Sequence, residues 1–329
     1  MKTSSVATVL AALSFAQAAF AQSEQPPSPN PVEEQEVDAS QKDKPAEGTG
    51  QPTATSPLTT ATPAPAKEAK WDVNAPLYTT LRQVPIRTDE GTWMDLDVSR
   101  DGRTIAFTLL GDIYTMPIEG GTPRRIAEGL AWETQPRFSP DGRRIAFTSD
   151  RGGGDNIWVM NADGSDKRQV TKEDFRLLNQ PSWSPDGEYI VAKKHFTTQR
   201  SLGTGEIWIY HVSGGGGVKL VARANEELQK ELGEPVYAPA TGPGAGAVYY
   251  TRNTTPGNTF EYAQDSTQGI FAIERVDLKS GEVTTAVSGY GGGVRPQPSP
   301  DGKLISFIRR DKDKSELWVK DRPPASSGG

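Results

Sequence analysis

The sequence contains no cysteine and only two histidines, His195 and His211. The missing thiols exclude disulfides, thiolate catalysis, iron–sulfur clusters and cysteine-ligated zinc. Two histidines are too few for a multi-histidine metal centre, and no sequence motif indicates a cofactor site. A glycosidase-type carboxylate pair stays open, because acidic residues are plentiful. We expect no catalytic residue, no metal ion and no cofactor in these 329 residues.

The chain also has fewer basic residues than acidic residues. The 36 lysines and arginines stand against 42 acidic residues, which gives a net charge of −6. A nucleic-acid-binding protein needs a basic face for phosphate contacts, so this balance argues against one. Hydrophobic residues make up only 34% of the chain, too few for a membrane-embedded protein.

The first 21 residues have the pattern of a secretory signal peptide. Lys2 supplies a positive start, residues 6–13 form a short apolar stretch, and Ala19-Phe20-Ala21 is a small-residue cleavage signal. The apolar stretch is too short to span a bilayer as a mature helix. We expect cleavage after Ala21, export to the periplasm, and no transmembrane segment in the mature chain.

Residues 22–70 have the composition of a disordered linker. They contain nine prolines, eight acidic residues, four lysines and no aromatic residue. Such a segment cannot bury enough apolar surface to offset its ordering entropy. Aromatic residues reappear at Trp71, so residues 71–322 are predicted to form the folded part. Residues 323–329 are predicted to be a disordered tail.

A repeat organises the folded part. The four-residue unit Ser139-Pro140-Asp141-Gly142 is followed by the short apolar run Ile145-Ala146-Phe147, and similar units surround three further aspartates, Asp101, Asp186 and Asp301. The interval between the last two leaves room for one degenerate copy around residues 235–250. Five repeats of about 40 to 60 residues indicate a propeller or an array of blades.

Each repeat predicts a four-stranded antiparallel sheet. In Ser-Pro-Asp-Gly the proline presets φ, the aspartate bonds its own backbone, and the glycine takes the left-handed conformation. The aspartates are therefore interpreted as turn residues, and Trp158, Trp208 and Trp318 as packing between sheets. One such sheet cannot bury both faces alone, whereas stacking around an axis buries them. The predicted fold class is an all-β β-propeller.

These residues resemble the WD-like repeats of the TolB family of periplasmic β-propellers, over about residues 90–321. A second likeness is carried by residues 90–99, 110–114, 209–212 and 290–293, which look like the N-terminal propeller of exported amidohydrolase-related proteins. Those proteins carry a metal-dependent hydrolase domain after the propeller, and this chain has no H-x-H motif. The resemblance implies a parent family and no activity for these residues.

Ring closure admits two arrangements. The fifth repeat reaches its third strand at residues 316–320, and the prolines at 323 and 324 rule out a following strand. Residues 81–86 could supply the missing outer strand and close a five-bladed ring. Alternatively, the chain carries only part of a larger ring.

Long insertions are predicted to gather on one face of the propeller. If the strands of a blade are called A to D, the short turns join A to B and C to D, whereas residues 193–205, 224–234 and 252–269 fall in B–C loops or D–A connections. We call the face with these longer connections the loop face, and predict that it binds a ligand or partner. The candidate residues are Trp132, Arg176, His195, Phe196, Arg200, Tyr262, Tyr290 and Arg295.

Two functions are consistent with the sequence. The first is a non-catalytic binding module that recognises a protein or a cell-envelope partner through the loop face. The second is the propeller part of an exported amidohydrolase, which would position substrate for a catalytic domain. The basic run around His195, with Lys193, Lys194 and Arg200, could also attract an anion.

Overall fold

The computed structural model describes residues 72–76, 80–174, 177–197, 203–259, 261 and 264–321. The predicted signal peptide, linker and tail lie outside these residues. Within them the chain is almost entirely β-structure, with one 3-10 helix at Ser266–Gln268. The strands are β1 (Leu96–Val98), β2 (Thr104–Leu109), β3 (Asp112–Pro117), β4 (Arg124–Ala127), β5 (Glu133–Phe138), β6 (Arg144–Ser149), β7 (Asn156–Asn161), β8 (Arg168–Gln169), β9 (Leu177–Trp183), β10 (Tyr189–Thr197), β11 (Gly203–His211), β12 (Val218–Val221), β13 (Leu232–Tyr237), β14 (Ala247–Asn253), β15 (Phe271–Asp277), β16 (Val283–Val287), β17 (Val294–Pro298), β18 (Leu304–Asp311) and β19 (Lys314–Asp321).

The strands form five antiparallel sheets in chain order, which are the blades of a β-propeller. Blades 1 to 4 consist of β1–β4, β5–β8, β9–β12 and β13–β16. Blade 5 has three strands in the described part of the chain, β17–β19. The first strand of each blade packs against the first strand of the next blade, so these strands line the centre. The predicted all-β propeller is confirmed.

The Ser-Pro-Asp-Gly turns act as the sequence predicted. Asp141 accepts a hydrogen bond from Ser139 Oγ and another from the Arg143 backbone N–H at 3.1 Å, and Gly142 has a φ of +69°. These bonds hold the pKa of the Asp141 carboxyl below its usual value, and the Ser139 hydroxyl contributes most. The same pair of bonds recurs at Asp101, Asp186 and Asp301.

Four apolar clusters join consecutive blades. Each of the strands β3, β7 and β15 contributes one fully buried isoleucine to a cluster shared with the following blade. These residues are Ile113, Ile157 and Ile273. In blade 5, Ile305 and Phe307 complete the cluster shared with blade 4. No cluster joins blade 5 to blade 1 among the described residues. The core is therefore a series of four inter-blade interfaces.

A bulge interrupts the central strands of blades 2 to 5 just before a proline. At these bulges a non-glycine residue has a φ between +52° and +57°, which is uncommon for such residues and is opposed further by the proline that follows. The four bulge residues are Gln135, Gln180, Glu234 and Arg295.

Hydrogen bonds between neighbouring blades support this backbone. Gln135 Oε1 accepts the backbone N–H of Gln180 at 2.7 Å, and Gln180 Oε1 accepts that of Glu234 at 2.7 Å. Glu234 Oε2 then accepts the backbone N–H of Arg295 at 2.8 Å. The bulge side chains thus link the inner strands of blades 2 to 5 in sequence.

One proposed route to ring closure is wrong. Residues 81–86 form no strand and are exposed along their whole length, so they do not supply the outer strand of blade 5. Leu81, Val84 and Ile86 are exposed apolar side chains of this segment, but β19 pairs only with β18 in the described chain. Separately, no helix among the described residues has the length and apolarity to cross a membrane.

Candidate recognition face

Trp132 lies on the loop face, in the connection from β4 to β5, and is 59% exposed. Its backbone N–H donates to Asp150 Oδ1 at 2.8 Å, and the next N–H, that of Glu133, donates to the Gly111 carbonyl at 2.8 Å. The indole ring lies directly over Gly111, where an added Cβ would come within 2.7 Å of it. The ring is therefore held in one place while a large part of it faces solvent.

A buried ion pair between Glu133 and Arg151 holds the chain directly after Trp132. Glu133 has no exposed surface, and its Oε1 accepts hydrogen bonds from Nε of Arg151 at 2.9 Å and from the terminal guanidinium nitrogen. Burial raises the pKa of the Glu133 carboxyl, and the Arg151 guanidinium opposes this shift. Arg151 also lies over the Trp158 ring at 5.7 Å. Together these contacts fix the start of β5, and with it the position of Trp132.

Further apolar side chains lie at the same edge of blade 1. Trp93 is 92% exposed and has a φ of +59°, a strained conformation for a bulky residue. Leu110 lies in the turn between β2 and β3, directly before Gly111, and Leu130 lies two residues before Trp132; both are exposed. We call Trp93, Leu110, Leu130 and Trp132 the blade 1 apolar rim.

Tyr290 lies in the connection between blades 4 and 5, whereas Arg295 lies in β17, the inner strand of blade 5. Tyr290 is exposed, and its hydroxyl donates to Asp311 Oδ1 at 3.3 Å. Arg295 is the bulge residue of blade 5, and its Nε lies 3.4 Å from Glu234 Oε1. Both residues are accessible, so their part in binding stays a prediction. Arg176, Arg200 and Tyr262 lie outside the described residues.

The prediction of a long loop at residues 193–205 is wrong. Residues 193–197 continue β10 and residues 203–205 begin β11, with His195 opposite Gly205. Phe196 is buried, and the Arg223 guanidinium lies 4.4 Å from its ring centre. Phe196 is therefore a packed strand residue and offers no surface for a partner.

The basic run around His195 is paired within the chain. Lys193 Nζ lies 2.5 Å from Glu231 Oε1, and Lys194 Nζ lies 2.8 Å from Glu173 Oε1. Burial lowers the pKa of the His195 imidazole, and the Lys193 charge lowers it further. The described part of this run therefore has little free positive charge with which to attract an anion.

A cavity of about 400 Å³ lies at the centre and is lined by the inner strands of all five blades. It extends from the bulges to the Ser-Pro ends of these strands, which is away from the loop face. Its charged side chains largely bond to the chain itself; Asp97 Oδ2, for example, accepts the Phe138 N–H at 2.7 Å. The charged lining consists of Asp95, Asp97, Arg100, Arg137, Glu234 and Arg295.

Sequence reasoning did not find the bulge residues Gln135, Gln180 and Glu234, the central cavity or Trp93, and it selected Arg295 without recognising the bulge. A signal for the bulges was present, because each bulge residue is followed by proline: Gln135-Pro136, Gln180-Pro181, Glu234-Pro235 and Arg295-Pro296. Trp93 precedes the short strand β1 and carries no such mark.

Comparison with known proteins agrees with this architecture. Residues 96–242 match the family model of the Tricorn protease N-terminal beta propeller domain. Two solved structures share the fold: a putative TolB from Agrobacterium tumefaciens (20% identity, TM-score 0.53, 69% of this chain and 76% of that one) and TolB from Acinetobacter baumannii (17%, 0.52, 67% and 51%). The chain carries a TolB-like β-propeller.

The TolB-like propeller also has a relative among peptidases. Over 197 residues it is 29% identical to the uncharacterized peptidase YuxL of Bacillus subtilis strain 168. This match covers 59% of the chain but only 24% of the peptidase, so the propeller spans about a quarter of that protein's length. The likeness to amidohydrolase-related propellers stays a prediction.

Proposed function

We propose that this TolB-like propeller is a binding module that recognises a protein partner through its loop face and performs no chemistry of its own. The observation that carries this proposal is Trp132, an indole ring more than half exposed on a rigid support. Tryptophan is enriched among the residues that dominate binding energy at protein interfaces. A ring already held in place loses little conformational entropy when a partner covers it.

The blade 1 apolar rim adds to this anchor. Trp93, Leu110 and Leu130 are further large apolar side chains exposed to solvent in or next to blade 1, and exposed apolar surface of this kind is typical of interaction sites. The left-handed backbone of Trp93 is costly for an aromatic residue, and such strain concentrates at functional sites. In contrast, the charges of the central cavity are mostly used to join the inner strands.

Photo-crosslinking in the native host tests this proposal. A photoreactive phenylalanine analogue replaces Trp132 in one variant and Val218 in a control, since Val218 is exposed at the start of β12, directly after the C–D turn of blade 3 on the opposite face. We expect one discrete protein adduct from the Trp132 variant and none from the Val218 variant. Equal adducts from both positions, or none from either, would contradict the proposal that a protein partner binds at the loop face. Sedimentation with purified peptidoglycan separates an envelope polymer from a protein partner.

We also propose that the protein is exported to the periplasm. The pattern of residues 1–21 supports this proposal, with cleavage after Ala21. N-terminal sequencing of the protein from a periplasmic extract is expected to begin at Gln22. A chain that keeps Met1 and stays in the cytoplasm would contradict export.

A second candidate is a substrate-positioning propeller that works with a hydrolase domain. The likeness to a peptidase and to the propeller of Tricorn protease favours this candidate, as does the predicted resemblance to amidohydrolase-related proteins. We expect the purified chain alone to hydrolyse neither peptides nor cyclic amides, with or without zinc. An H-x-H-containing reading frame next to the gene would favour this candidate over the binding module.

A further inference from the structure

Leu317 differs from its counterparts in the other four blades. The third strand of each blade has an apolar residue at the same register position, opposite Thr108, Thr148, Lys193, Thr251 or Ile308 of the second strand. In blades 1 to 4 this residue is an isoleucine with no exposed surface, whereas Leu317 in β19 is 42% exposed. The four buried counterparts are Ile113, Ile157, Ile207 and Ile273.

In blades 1 to 4 a fourth strand helps to cover the isoleucine. Leu317 has no such strand beside it in the described chain. Ile113 is opposite Ala127 of β4, Ile207 is opposite Val221 of β12, and Ile273 is opposite Val287 of β16. In blade 2 the carbonyl of Ile157 accepts the Val170 N–H at 2.9 Å. No strand pairs with the outer side of β19 in the described chain, and all eight residues of β19 are exposed.

The free edge of β19 is ready to pair with a strand. The N–H of Ile157 donates to Thr171 Oγ1 at 2.9 Å, and its carbonyl bonds to Val170, so both groups face the fourth strand. By the same register, the N–H and carbonyl of Leu317 point away from β18. An exposed edge with unpaired backbone groups is a template for strand addition.

We propose that β19 binds an extended segment of another polypeptide as an antiparallel fourth strand. Blades 1, 3 and 4 define the segment, because each holds a short strand with alanine or valine opposite the isoleucine. β19 itself carries two lysines, one glutamate and one aspartate, so its net charge does not select a charged partner. Recognition therefore rests on backbone hydrogen bonds and on a small apolar side chain opposite Leu317.

Hydrogen exchange on the full chain tests this surface. The probe is a synthetic peptide with the sequence of residues 282–288, Glu-Val-Thr-Thr-Ala-Val-Ser, which contains β16. We expect exchange of the Leu317 amide to slow by about tenfold at saturating peptide, because a paired amide must open before it exchanges. The matched control peptide has proline in place of the alanine at 286, which disrupts strand pairing. It should leave exchange unchanged.

A protein variant tests whether the peptide binds specifically at β19. Leu317→Asp changes an exposed side chain, so we expect it to fold and to lose the protection by the peptide. Absence of protection at millimolar peptide would overturn the proposal. So would a Leu317 amide in the free chain as protected as that of Ile157, or concentration-dependent protection with dimer formation in light scattering. The last result would identify a second copy of this chain as the occupant.

Discussion

Four residues in left-handed backbone set the distance between neighbouring inner strands. Each bulge side chain in blades 2 to 4 accepts the backbone N–H of the bulge residue in the following blade. A glutamine or glutamate is long enough to cross between blades and supplies the acceptor oxygen that the N–H needs. The unfavourable backbone conformation is thus offset by a bond that spans two blades.

Replacing Gln180 with alanine removes the acceptor of the Glu234 N–H. The partly buried N–H loses its partner, and we expect the free energy of unfolding to fall by about 1–3 kcal/mol. Gln180→Glu keeps an acceptor, as Glu234 does in the next blade, and should retain most of the stability. Urea denaturation measures both, with the exposed Gln297→Ala as control. A loss for Gln180→Ala no larger than that of the control would contradict this role.

Asp155 opposes folding in a pH-dependent way. Burial raises the pKa of its carboxyl, and the nearby charge of Asp150 raises it further. The folded-state pKa therefore lies above the unfolded one, so the penalty is absent below the unfolded pKa and grows as pH rises through the folded pKa. We expect Asp155→Asn to raise Tm at pH 7 and to have no such effect at pH 3. The exposed Asp89→Asn is the control; a gain at both pH values would contradict the titration.

At the scale of the strand and turn, two glycines with the same backbone requirement have different surroundings. Gly102, in an A–B turn, has a φ of +72° and open space where a side chain would lie. Gly111, in a B–C turn, has a φ of +84°, and an added Cβ would meet the Trp132 ring. Substitutions at these two glycines therefore separate the cost of positive-φ backbone from the cost of displacing the Trp132 ring.

Gly111→Ala should cost more stability than Gly102→Ala. Both variants place a Cβ at positive φ, which costs about 1–3 kcal/mol, and only Gly111→Ala also displaces Trp132. The indole N–H resonance of Trp132, assigned with Trp132→Phe, should shift in the first variant alone. Chemical denaturation of both variants completes the comparison. Equal losses with an unmoved resonance would show that the ring does not rest on Gly111.

The sequence predicted the blades because their turns are determined locally. Ser139, Asp141 and Gly142 bond within five residues, so their chemistry is visible in the printed chain. The extension of β10 was missed because the partners of Lys193 and Lys194 are 38 and 21 residues away. A run of charge was therefore interpreted as a loop. Trp132 lies in a connection at the loop face, as its place in the repeat predicted, and its part in binding stays a prediction; the bonds that hold it could not be anticipated.

At the scale of the whole molecule, four inter-blade clusters connect five sheets. Each of blades 2, 3 and 4 is covered on both faces. Blades 1 and 5 each share a cluster with one neighbour in the described chain, and the half-exposed Leu317 is one consequence. Stability is therefore unevenly distributed between the middle and the end blades.

Truncation at equivalent positions measures this difference. Ile157→Ala removes a fully buried side chain between two blades and should cost about 2–5 kcal/mol. Leu317→Ala removes a half-exposed one and should cost about 1 kcal/mol or less. Both are measured by urea denaturation of the same chain. A similar cost at the two positions would mean that blade 5 is covered as fully as blade 2.

Blades that touch only their sequence neighbours behave as a one-dimensional array. In such an array the free energy is approximately a sum of intrinsic sheet terms and nearest-neighbour coupling terms. An end blade has one coupling term to lose, whereas an inner blade has two, so opening begins at the ends and moves inward. A strand docked on β19 would therefore add a coupling term to blade 5. Its effect would be to slow fraying from that end.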